Sequence, residues 1–84
     1  MKIVRIKSGI APPLKNKGIE VVVQEDFRRG DDWNTIPYSR YFLLRDGRQI
    51  DGFDIDSARF KKSDLNRLLK RNRLTSKGVT IYVK

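Results

Sequence analysis

The chain has 84 residues, 38% of them hydrophobic and 35% charged, with no cysteine and no histidine. Nineteen Lys/Arg against ten Asp/Glu leave a formal net charge of +9. Without cysteine or histidine the chain lacks disulfides, a thiolate nucleophile, the usual zinc ligands and the usual general base at neutral pH, so composition points to binding rather than catalysis, with no cofactor or metal.

Residues 2–7 interleave β-branched residues with cations and predict a first strand. Residues 8–18 carry Pro12, Pro13 and two glycines and predict a loop. Residues 19–24, IEVVVQ, give a second strand with Ile19, Val21 and Val23 on one face. Residues 25–37, dense in charge with Gly30 and Pro37 as breakers, predict a long excursion with room for one helical turn.

Asp46-Gly47 lies between two apolar-rich runs and predicts a two-residue type I′ hairpin, because both turn positions need positive φ. That turn sets a register of Arg45 with Arg48, Leu43 with Ile50 and Tyr41 with Gly52 on one face. The other face pairs Leu44 with Gln49, Phe42 with Asp51 and Arg40 with Phe53.

Leu65, Leu68 and Leu69 recur at helical spacing, with Arg67, Lys70, Arg71 and Arg73 spread over the opposite face. Phe60 would point away from the leucines if the helix began at Ser57. The spacing therefore predicts a helix over about 63–73, with Ser63 as N-cap, Asp64 at the first helical position and a separate turn at 57–62. Residues 79–84 predict a last strand with Val79, Ile81 and Val83 facing inward.

The order β-β-β-β-α-β within a single compact domain, residues 1–84, predicts an α+β fold. Its form would be a small, mostly antiparallel or mixed sheet with the helix packed on it. A five-stranded barrel with one helix is the alternative. The first or last strand would supply an exposed edge. No apolar run is long enough to span a bilayer, and Arg5 and Lys7 break the N-terminal apolar stretch, so a cytoplasmic protein without membrane contact is expected.

Residues 59–73 hold seven cations and one acid, supplying +6 of the net charge. Few acids stand at helical spacing to balance them, which favours a polyanionic partner over a merely solvated face. Arg45 and Arg48 sit across the hairpin turn, a mildly repulsive cross-strand pair at a tip able to follow a phosphate backbone. Trp33, Tyr38, Arg40, Tyr41 and Phe42 mix aromatics with a guanidinium, as sheet surfaces that stack nucleotide bases do. Trp33 can equally be a lid over the core. Residues 20–32 net −3, and pairing of that stretch with the basic helix would weaken the polyanion reading. Asp51, Asp54 and Asp56 are the carboxylate cluster, more simply read as a helix-entry turn for Asp56 and as arginine partners for the other two than as a metal site.

These residues predict a non-catalytic nucleic-acid-binding domain, of DNA or RNA. Arg45, Arg48, Arg67, Lys70, Arg71 and Arg73 would contact phosphates, with Arg40 and Tyr41 contributing. The alternative is a small interaction or inhibitor protein, of the kind phages and plasmids encode, docking its basic face on an acidic protein surface.

Overall fold

A computed structural model of the protein describes residues 2–6, 18–31, 34–57 and 59–84. Its elements are β1 (Lys2–Arg5), β2 (Ile19–Arg29), β3 (Thr35–Arg45), β4 (Arg48–Ile55), α1 (Lys62–Arg71) and β5 (Thr80–Val83). The expected α+β class and β-β-β-β-α-β order are present. The strands form one open sheet in the order β1-β5-β2-β3-β4, so no barrel closes. The sheet is evenly mixed: β2–β3 and β3–β4 are antiparallel, β1–β5 and β5–β2 parallel. Parallel neighbours need a crossover, and α1 supplies the one that carries the chain from β4 back to β5.

β5 is therefore an interior strand, and the edges are β1 and β4. This meets the expectation of an edge at the first or last strand through the first, and excludes the last. It also explains why Tyr82 is buried together with Ile81 and Val83. Interior strands covered on both faces read as unbroken apolar runs, as VVV at 21–23 does.

One face of the sheet carries the main core. Val21, Val23, Tyr41, Leu43, Val79, Ile81 and Val83 pack there against Leu65, Leu68 and Leu69 of α1, as the leucine spacing predicts. Each of these leucines is at most 1% exposed and contributes about 2 kcal/mol of apolar burial. The other face holds a smaller cluster of Val22, Leu44 and Tyr82 with Val4, Ile6 and Phe42.

Three expectations need correction. First, residues 25–29 and 35–37 are not an excursion. β2 and β3 stay paired to Arg29–Thr35, so the charged stretch continues the strands as a two-stranded ribbon past the end of β4 pairing at Ser39. Pairing overrides poor β propensity there, because each strand satisfies the other's backbone. Pro37 is tolerated because β3 has no outer neighbour at that level. Trp33 lies outside the described residues.

Second, the hairpin turns as predicted, with Asp46 at φ 52° and Gly47 at 79°. Arg45–Arg48 and Leu44–Gln49 also pair as predicted. A bulge then inserts Ile50, and the register shifts by one to Leu43–Asp51, Phe42–Gly52, Tyr41–Phe53 and Arg40–Asp54. It is Phe42, not Tyr41, that faces the strand glycine.

Third, Ser63 does not cap α1. Lys61 holds the N-cap position without a side-chain cap bond. Phe60, the residue before it, packs on the core cluster that contains Leu65, in the manner of a hydrophobic staple. Burying Phe60 sets where the chain enters the helix, so Ser63 is its second residue and Asp64 its third.

Candidate functional site

The C-terminus of α1 is built around Asp51. The Arg71 guanidinium donates from Nε to Asp51 Oδ2 at 2.6 Å and from Nη2 to Oδ1 at 2.5 Å, and Nη2 also reaches the Gly52 carbonyl at 3.2 Å. Asn72 Nδ2 donates to Asp51 Oδ2 at 2.7 Å and to the Leu68 carbonyl at 2.8 Å, satisfying a helix-end carbonyl. Asp51 also accepts from the Gly52 N–H at 2.7 Å. Bonding to Arg71 first, and to Asn72 second, holds the Asp51 carboxyl well below the usual carboxylate range. The same pair pushes the Arg71 guanidinium up.

The helix then ends in a Schellman motif. Arg73 N–H donates to Lys70 O at 3.0 Å and Leu74 N–H to Leu69 O at 2.9 Å. Leu74 packs back on the core. Arg73 occupies the left-handed position with φ 59°, where glycine is usual.

Arg67 and Arg71, one turn apart, both lie over the Phe53 ring, at 5.1 and 5.0 Å from its centroid. Phe53 in turn meets Tyr41 edge-on at 5.3 Å. Arg67 also pairs with Asp64 at 3.4 Å. On the other face of the sheet Arg40 pairs with Asp54 at 3.0 Å and covers Tyr38 at 5.7 Å, and the Asp54 hydrogen bond raises its pKa. Arg28 pairs with Asp56 at 2.8 Å. The carboxylates of Asp51, Asp54 and Asp56 thus serve three different arginines. Among the described residues no group of three potential metal ligands converges.

Tyr41 is not a surface residue. It is fully buried, and its hydroxyl accepts the Lys61 N–H at 3.0 Å. Burial, chiefly, raises its pKa. Its place between Val23 and Phe53 in the sheet points its ring at the helix, so no base can stack on it, and it leaves the candidate site.

The remaining predicted residues divide by partner. Arg40, Arg67 and Arg71 each have a carboxylate and an aromatic ring. Arg45, Arg48, Lys70 and Arg73 are exposed and form no ion pair among the described residues. Among the described residues, no acid of 20–32 forms an ion pair with them. Glu25 holds Arg5 at 2.9 Å and the Phe60 N–H at 2.8 Å, Asp26 accepts its neighbour's N–H, and Glu20 is buried.

These four cations lie toward one end of the molecule. Asp51 ties the α1 C-terminus to β4, and Arg48 precedes Asp51 by three residues, about 10 Å along a strand. Asp46, between the tip arginines, is itself engaged by the Gly18 N–H at 2.8 Å. The tie between Asp51 and the helix was missed in the sequence. Its one local trace is Asn72 just after a helical run, a residue type common at helix ends.

Among the described residues no helix is long and apolar enough to cross a membrane. Comparison with protein-family models, curated proteins and solved structures finds no match to this chain.

Proposed function

We propose that the protein is a non-catalytic nucleic-acid-binding domain. It would contact phosphates through the hairpin tip, Arg45 and Arg48, and through the helix end, Lys70 and Arg73. The observation that carries this reading is that these four cations form no ion pair among the described residues, while Arg40, Arg67 and Arg71 have carboxylate partners. Like charges gathered at one end repel one another in the free protein, and a polyanion relieves that repulsion. Arg67 and Arg71 keep a secondary role, as the wall of Phe53 and the anchor of the helix.

The test is equilibrium binding to single- and double-stranded DNA and RNA across a salt series. Four phosphate contacts give log K a slope against log salt of about −3.6 on duplex DNA and about −2.8 on single strands. Replacing Arg45 and Arg48 by alanine should remove about half of that slope. Arg71 is left intact, because a carboxylate there would face Asp51. If no nucleic acid binds at low salt, the reading fails. Capture of an acidic protein from nuclease-treated lysate by the same four side chains would then favour the inhibitor alternative.

A further inference from the structure

The bulge in β4 does more than shift the register. Leu44 faces Gln49 and Leu43 faces Asp51, so Ile50 has no cross-strand partner of its own. A regular ladder would set Ile50 against Leu43. The bulge leaves it 42% exposed instead. Bulges are recurrent where a side chain must be re-aimed near a functional surface. Ile50 lines a depression together with Arg45, Asp46 and Arg48. Asp51, next to it in sequence, is held by Arg71 and Asn72, Asp54 pairs with Arg40, and Asp46 accepts the Gly18 N–H. An aliphatic side chain thus stands beside two arginines that form no ion pair among the described residues, with the Asp46 carboxylate between them.

The size of this apolar feature decides what it suits. A stable protein interface covers about 800 Å² on each partner, around an apolar centre of several side chains. One half-exposed isoleucine falls far short of that. It is the size of the aliphatic wedges that enter between two base pairs, flanked by cations on the phosphates, and kink the duplex. Resting on the nucleic-acid reading above, we infer that the hairpin tip is a duplex-bending wedge. Arg45 and Arg48 hold the phosphates on either side of a base step, and Ile50 enters the step from the minor groove and partly unstacks it.

The experiment is resonance energy transfer between fluorophores on the two ends of a short DNA duplex, with and without saturating protein. Wild-type protein should bring the ends together by an amount equivalent to a bend of about 20–90°. Ile50→Ala should lose most of the bend and some affinity while leaving the salt slope unchanged, because no phosphate contact is altered. Ile50→Leu should keep the bend. The side chain is exposed, so both variants should fold, and circular dichroism checks that they do. A bound but unbent duplex, a bend unchanged in Ile50→Ala, or binding confined to single strands overturns the wedge and leaves the phosphate-binding reading standing. Absence of all nucleic-acid binding overturns both.

Discussion

Replacing Arg73 by glycine should make the fold more stable and the protein a weaker nucleic-acid binder. Arg73 is held at φ 59° by two backbone bonds of the Schellman motif, Arg73 N to Lys70 O and Leu74 N to Leu69 O. The left-handed conformation costs an L-residue about 1–2 kcal/mol, and glycine avoids that cost. Glycine's extra freedom in the unfolded chain takes back about 0.4–1 kcal/mol. Losing a cation at the helix C-terminus takes back a few tenths more, roughly 0.3 kcal/mol. The net gain is about 0.5 kcal/mol, which raises Tm by about 2–4 °C in a domain of this size. Thermal unfolding followed by circular dichroism measures it.

The same variant should flatten the salt slope of duplex binding by about 0.9, one phosphate contact. A residue that is strained in the fold and useful on the surface is a local stability–function trade-off. A lower Tm for Arg73→Gly would refute the strain argument. An unchanged salt slope would refute the assignment of Arg73 to the phosphate-binding surface.

Asp51→Asn should lower Tm at neutral pH by about 4–8 °C, the equivalent of about 1 kcal/mol for a bidentate pair still partly open to solvent. Because the Asp51 carboxyl is depressed in the folded state, its contribution is complete above the unfolded carboxylate pKa of about 4 and declines as pH falls below it. The gap in Tm between wild type and variant should therefore narrow in acid, and a gap independent of pH down to strongly acidic solution would contradict this. Gly52→Ala should be severely destabilising, by about 2 kcal/mol or more, since a Cβ there would lie 2.5 Å from the Tyr41 carbonyl, a backbone atom that cannot move aside. Urea unfolding reads this, and near-wild-type stability would mean that β4 shifts freely against β3.

Local physics made several parts legible in the chain itself. The Asp46-Gly47 turn follows from positive φ at two adjacent positions. The buried face of α1 follows from the spacing of three leucines, and the inward side of β5 from the alternation of Val79, Ile81 and Val83. Each depends on residues within one or two turns of one another. The same holds for the excess of cations over residues 59–73.

What the tertiary structure decided depends on residues far apart in the chain. Glu25 and Asp26 lie in a strand because residues 38 and 39 pair with them, and propensity gives no hint of it. β5 lies between β1 and β2 because α1 returns the chain to the far side of β2. Most consequentially, the sequence treats all the arginines alike, whereas the fold assigns Asp51 to Arg71 and Asp54 to Arg40, and among the described residues Arg45, Arg48, Lys70 and Arg73 form no ion pair. Charge alone gives the sign of the partner proposed here. Which cations can meet it was fixed by long-range pairing, since ion pairs form across the 14 to 20 residues that only the folded sheet brings together.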